Sequence, residues 1–226
     1  MIGKSIANRP YMYLPLKGDT NDYGTGGNNP SNTSVTTTTG QFGESNGAYE
    51  WDATNDYLDW SSTIGNTIAG YLNAGATVLG FFEFTGMAAS SDFYRIFHQY
   101  QGSGTPSFLW NFSTFSLTYA GQFYPTNGSV TTASNYYDTS WHLYGFRTAD
   151  SSGNLQIDFL KDGVFDTKTT TTGNCNTGST HALRLGTRLG SSQSFKGKCH
   201  DFKVYNTRLS NGQLKLIEIQ KGRIRA

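Results

Sequence analysis

The chain has 226 residues, with 17 Lys and Arg against 16 Asp and Glu and a formal net charge of +1. That balance excludes a basic surface for nucleic acid or for an anionic membrane, since either needs a strong excess of positive charge. Charged residues make up only 15% while aromatics reach 15% and Gly (27) far outnumbers Pro (5), the profile of a turn-rich β protein whose surface is polar through Thr, Ser, Asn and Gly.

Residues 11–16 form a short apolar run, and Pro15 inside it predicts an edge or bulged strand. A turn-rich loop with Asp19, Asn21 and Asp22 follows, then a Gly/Asn/Ser/Thr-rich stretch over 25–40 that reads as an exposed loop ending in a threonine-rich edge strand at 35–39. In the segment 47–60, Asp52 and Asp56 are placed to accept backbone N–H groups in a turn. Residues 77–84 are almost continuously apolar, as a central strand buried on both faces requires. Strand-like stretches recur at 93–100, 107–112, 115–119 and 129–133, a spacing that suits an antiparallel sandwich.

Residues 141–147 lead through a turn at 150–154 into a strand where Leu155, Ile157 and Phe159 share one face, and Asp162-Gly163 marks the next hairpin turn. Residues 181–186 add a strand with Leu183 and Leu185 pointing one way. In the closing strand, strict alternation places His200, Phe202 and Val204 on one face and Cys199, Asp201, Lys203 and Tyr205 on the other. Ser210 then stands three residues before Gln213, a capping-box spacing, and Leu214, Ile217 and Leu216 supply a short apolar stripe for one helix.

Four phrases carry a resemblance. They are the opening Tyr13-x-Pro15-Leu16-x-Gly18-Asp19-x-Asn21-Asp22, then Trp51-Asp52 with Asp56-Tyr57-Leu58, then Trp141-His142 with the hairpin to Asp162-Gly163. The last is Gly197-x-Cys199-x-Asp201-Phe202-x-Val204-Tyr205 followed by Leu209-Ser210-x-x-Gln213-Leu214. In this order they resemble laminin G-like domains, members of the concanavalin A-like lectin/glucanase group. Ala53 departs from the glycine the family often has there, and Leu160 stands near its usual tyrosine or valine. The resemblance implies an all-β fold, an antiparallel β-sandwich of the concanavalin A-like jelly-roll type with one short C-terminal helix. The expected organisation is an N-terminal arm at 1–10, one domain over 11–220 and a tail at 221–226.

The same resemblance implies two further features. Related domains hold a structural calcium at one rim, for which Asp19, Asn21, Asp22 and Asp201 are the candidates here; the alternative is that these aspartates serve turns and backbone N–H groups. Several laminin G-like domains also carry a disulfide near the C-terminus, which would join Cys175 to Cys199, against the alternative of two separate buried thiols.

A reacting constellation is harder to find. Jelly-roll glucanases place carboxylates in an E-x-D-x-x-E pattern, yet this chain has four glutamates (Glu44, Glu50, Glu83 and Glu218) and no two of them share a strand at that spacing. No nucleophile elbow occurs, and His98, His142, His181 and His200 are dispersed without zinc-ligand companions. The expectation is therefore a non-enzymatic protein with no cofactor beyond a structural calcium. Sugar binding calls for an aromatic platform beside planar hydrogen bonders. The best loop for it is Asn135, Tyr136, Tyr137 and Asp138, with Tyr23, Tyr119 and Tyr124 as further aromatics near loops.

The N-terminus shows no signal-peptide core, and no stretch approaches the ~20 apolar residues of a membrane span. A lectin-like module without an export signal is expected in a bacteriophage virion, as a decoration, head-fibre or adhesion component. It would form homo-oligomers, contact other virion proteins and bind host-surface glycans. The alternative is an extracellular setting, as a carbohydrate-binding or cell-adhesion module of a secreted multidomain protein.

Overall fold

Alternating apolar residues over short segments separated by Gly- and Asp-rich turns can bury themselves only by stacking two sheets face to face. The computed structural model of the chain describes residues 9–52, 55–85, 93–99, 107–113, 120–125, 129–132, 138–152, 154–169, 173–186 and 195–222. Among them, two antiparallel sheets form a sandwich.

The eight-stranded sheet runs β13 (Val164–Thr169), β12 (Asn154–Lys161), β11 (His142–Ser151), β6 (Thr77–Phe84), β15 (Gly197–Tyr205), β4 (Ala48–Trp51) and β3 (Thr36–Thr38), with β1 (Met12–Leu14) also paired to β15. The seven-stranded sheet runs β10 (Val130–Thr131), β9 (Ala120–Pro125), β8 (Phe108–Ser113), β7 (Phe93–Gln99), β14 (Leu183–Gly186), β5 (Tyr57–Trp60) and β2 (Ser31–Thr33). The threonine-rich strand lies at a sheet edge as expected, and β6 sits centrally between β11 and β15. The part of the expected strand at 115–119 lies outside the described residues. β9 instead makes a strand of Tyr124, which the sequence placed near a loop.

The inner faces meet in an aromatic core. Phe82 touches Trp110 and Phe195 edge-on with ring centroids 5.7 Å from each, and Trp110 meets Phe146 at 5.3 Å across the two sheets. These rings are fully or almost fully buried, and edge-to-face packing adds to the stabilisation from their burial. The hairpin turn expected at Asp162-Gly163 is present, with φ of 45° and 79°, the pair of positive angles that a two-residue turn matching the strand twist demands.

The closing strand departs from strict alternation. The register of β15 against β6 shifts between His200 and Lys203, and Asp201 is the extra residue, with φ 52°. Cys199, Phe202 and Val204 all enter the central core. His200 is thereby turned to the opposite face from Phe202, where it stacks on Phe81 with ring centroids 4.9 Å apart. Pro15 explains the site: its carbonyl accepts from Asp201 N at 3.0 Å, holding the bulge against β1.

Two helices are present where the sequence indicated one. α2 (Asn211–Gly222) opens with the expected capping box, Ser210 N donating to Gln213 Oε1 at 2.8 Å and Gln213 N to Ser210 Oγ at 3.3 Å. Leu209, Leu214 and Ile217 cover an apolar patch of Leu79, Phe81, Leu143, Leu160 and Tyr205 on the outer face of the eight-stranded sheet. Leu216 points to solvent instead of joining that stripe.

The second helix, α1 (Ser62–Ala74), buries Ile68, Ala69 and Leu72 in the core and packs against β11 and β14. Two asparagines, two turns apart on its surface, grip the segment before β14. Asn66 exchanges hydrogen bonds with both backbone groups of Ser179 (3.0 Å each), and Asn73 does the same with Cys175 (2.9 and 2.7 Å). Gly65 is required here, because a Cβ would lie 2.4 Å from Gln99 Nε2. That amide donates to Ser62 O, Asn66 Oδ1 and His181 O, at 3.2, 3.1 and 2.9 Å.

Cys175 and Cys199 are free, not bridged. Cys175 belongs to the segment gripped by Asn73, whereas Cys199 belongs to β15. Burial pushes both thiols well up, and the Asp201 charge adds to the effect at Cys199. Neither thiol is expected to react with a disulfide reagent in the native protein, and both should react after denaturation; rapid labelling of the native protein would contradict this packing. Truncating the core at Phe82→Ala should lower the unfolding free energy by about 3–5 kcal/mol, read by urea denaturation.

Candidate functional site

The two outer faces of the sandwich differ in character. The eight-stranded sheet carries an apolar patch on its outer side, and α2 lies over that patch. The seven-stranded sheet turns Leu58, Trp60, Leu183, Leu185, Phe97 and Trp110 inward, which leaves polar and aromatic side chains outside by strand alternation. Register aligns one outer row across six strands: Ser31, Asp59, Arg184, His98, Leu109 and Tyr124. A second row holds Tyr57, and a third set pairs Arg95 with Asn111.

On this face His98 and Asn111 are fully buried, whereas Tyr57, Asp59 and Tyr124 are partly exposed. The guanidinium carbon of Arg184 lies 4.2 Å from the centroid of the Tyr57 ring, and its Nε is 3.4 Å from Asp59 Oδ1. Burial pushes the Tyr124 phenol up, opposed by the charge of Arg95. Asp59 is the one carboxylate in the sequence of these seven strands. An aromatic surface flanked by a guanidinium, a carboxylate and hydroxyls can stack on a sugar ring and fix its hydroxyls. Among the described residues, the strands of this sheet therefore bring one carboxylate to the face, where a glycosidase uses a pair.

Of the loop singled out in the sequence, Asn135, Tyr136 and Tyr137 lie outside the described residues. Asp138 is described and its oxygens are engaged internally: Oδ1 accepts from Ser140 N (2.8 Å) and His142 Nε2 (2.9 Å), and Oδ2 accepts from Lys161 Nζ (2.8 Å). His142 Nδ1 meets Asp162, whose Oδ1 also accepts from Leu143 N at 2.9 Å. Burial pushes the Asp138 carboxyl up, but Lys161, the Ser140 N–H and His142 outweigh it and hold the group at about 2.

The residues proposed for calcium fall in two places on either side of Tyr13. Asp22 accepts from three backbone N–H groups, those of Tyr13 (2.8 Å), Gly24 (2.8 Å) and Asn28 (2.9 Å). Asp19 accepts from Asn21 N and from the Tyr23 hydroxyl, each at 3.0 Å. Asp201 is buried, accepting from the Tyr13 hydroxyl at 2.7 Å and facing His200 Nδ1 at 2.9 Å. These donors direct positive N–H and O–H dipoles at the oxygens that a cation would need, so the set does not fit a calcium ion. Among the described residues, no three His, Cys, Asp or Glu side chains converge to hold a metal. Asp56 does serve its turn, accepting from Asp52 N at 2.9 Å.

Sequence reasoning did not find the face around Arg184. Asp59 and Arg184 stand 125 residues apart, and only strand register makes them neighbours. The one local signal is alternation, which marks each as the polar residue between two core residues, Leu58 and Trp60 or Leu183 and Leu185.

No protein-family model and no curated protein sequence matches this chain. Solved structures do resemble it. The receptor-binding domain of a botulinum neurotoxin of C/D mosaic serotype superposes with a TM-score of 0.68 at 12% identity, over 97% of this chain and 52% of that one. The binding domain of Paraclostridial Mosquitocidal Protein 1 gives 0.66 at 9% identity, over 95% and 53%. Domain 4 of AbnA, a GH43 extracellular arabinanase from Geobacillus stearothermophilus, solved with arabinotriose, gives 0.65 at 11% identity, over 93% and 98%. The chain thus spans about half the length of the toxin domains but nearly all of the arabinanase domain. At these identities the likeness establishes the fold, an antiparallel β-sandwich.

The Asp138 cluster yields a pH test. Its folded value lies below the ordinary 3.8, so its contribution is present above about pH 4 and is lost as pH falls towards 2. Asp138→Asn is expected to be less stable than the parent at pH 6, with the gap closing near pH 2, as read by urea denaturation at both. A gap of constant size would contradict the ion cluster.

Proposed function

We propose that this protein is a non-catalytic carbohydrate-binding module that receives its glycan on the outer face of the seven-stranded sheet. One observation carries the reading: the strands of that face bring together Tyr57, Tyr124, Arg184 and Asp59 with a single carboxylate, while the opposite outer face has an apolar patch covered by α2. The fold supports it, because the arabinanase domain bound to arabinotriose matches this chain as a whole domain. The toxin domains give weaker support. Half of each lies outside the match, so their ligands are not placed on the shared half.

Binding here means stacking an apolar sugar face on a tyrosine while hydroxyls bond to the flanking side chains. Such a module works by raising the local concentration of whatever it is attached to at a polysaccharide or cell surface. Extracellular work in a secreted multidomain protein and display on a virion both use that property; the similar structures include no virion protein among those described above, and detection in purified particles would establish that setting.

The test is affinity electrophoresis against a panel of soluble polysaccharides, with arabinan and anionic polymers included. Retardation by at least one polymer is expected, and Tyr124→Ala should weaken it by about fivefold, roughly 1 kcal/mol. No retardation by any of them overturns the reading.

A further inference from the structure

We propose that the glycan taken by this face is acidic, its carboxylate being seated on the guanidinium of Arg184. This rests on the carbohydrate-binding reading and names the ligand class of the same site. Arg184 stands in the middle of β14, with Asp59 as its register partner on one side and His98 on the other. Its residue surface is only 9% exposed, so its charge has been largely withdrawn from water.

The protein gives that charge little in return. Tyr57 occupies one face of the guanidinium at 4.2 Å, and Nε reaches Asp59 at 3.4 Å, which is a long and therefore weak hydrogen bond. Among the described residues no acceptor bonds to Nη1 or Nη2. These two nitrogens form the edge of the planar fork that pairs with both oxygens of a carboxylate. The contacts with Tyr57 and Asp59 already restrain the Arg184 side chain, so less freedom remains to be lost when an anion arrives.

Charge and hydrogen-bond polarity agree with this. In the seven strands of the sheet, Arg95 and Arg184 stand against Asp59 alone, and Arg95 acts on Tyr124 at the far end of the same row. Guanidinium groups only donate. A neutral sugar, whose hydroxyls both donate and accept, is best met by mixed partners, whereas a uronic or sialic acid brings an acceptor-only group that matches the donor-only fork of Arg184.

The experiment titrates the intact chain calorimetrically with four probes: an oligogalacturonate, the same oligomer methyl-esterified, sialyllactose and arabinotriose. Binding of one acidic probe is expected, and which of the two binds separates uronate from sialate. Neutralising the carboxylate by esterification, or Arg184→Gln in the protein, should weaken it by about tenfold or more. Asp59→Asn removes the competing carboxylate and should tighten the acidic ligand by about twofold or more, a gain that misfolding cannot mimic. Equal binding of acidic and neutral probes, or acid binding untouched by Arg184→Gln, overturns the acidic assignment and leaves the carbohydrate-binding reading standing. Binding of none of the four, together with no retardation by any polysaccharide, removes both.

Discussion

At Asp201 the backbone turns to φ 52° and the last strand slips one residue out of register with its neighbour. Asp tolerates this left-handed region better than most side chains, and its carboxylate is held by the Tyr13 hydroxyl and by His200. The consequence is a redistribution of side chains. With the bulge, Cys199, Phe202 and Val204 all fill the space between the sheets, while His200 and Tyr205 join the other face beside Phe81 and Leu79. Without it, either half of β15 would turn its apolar residues to the wrong side. The same residue fixes β1, because Pro15 O accepts from Asp201 N.

That redistribution sets the division of labour between the two outer faces. Once β15 contributes to the apolar patch over Leu79 and Phe81, α2 has something to cover, and the capping box at Ser210 and Gln213 starts the helix where it can do so. Arg147 and Arg208 secure the junction, both bonding to the buried Asp158, at 2.7 and 2.5 Å. The eight-stranded sheet is thereby closed to ligands over this patch. The seven-stranded sheet has no described helix over its outer side, and there the polar side chains of β5, β7, β14 and β9 come into line.

Much of the scaffold was legible from local pattern. The apolar run of β6, the Asp162-Gly163 turn and the capping box each depend on residues close in sequence, and each appears where expected. α1 was not legible in that way. Its core residues Ile68 and Leu72 have helical spacing, but Gly65, Gly70 and β-branched Thr63, Ile64 and Thr67 lower its intrinsic preference. What holds it is tertiary: the Asn66 and Asn73 clasps reach residues 113 and 102 positions away. The candidate site is illegible for the same reason. Arg184 reads as an unremarkable polar residue in a short strand until register sets it beside Asp59 and over Tyr57. The aspartate-rich opening loop illustrates the converse limit, since its sequence does not tell which carboxylate oxygens accept backbone N–H groups.

Strand β15 lies between β6 on one side and β4 and β1 on the other, yet among the strands it comes last along the chain. A growing polypeptide therefore reaches residue 197 with β1 and β4 still lacking the strand that joins them to β6. Tyr13 and Asp201, 188 positions apart, can meet only then. The larger sheet is thus completed from its middle: β11, β12 and β13 pair in sequence order, as do β3 and β4, but the two groups are joined only when β15 enters between them. Loop closure over such distances is slow, and until it occurs the edges of β4 and β6 are open to any other strand. The arrangement leaves the joining of β1 and β4 to the rest of the larger sheet until residues 197–205 are available.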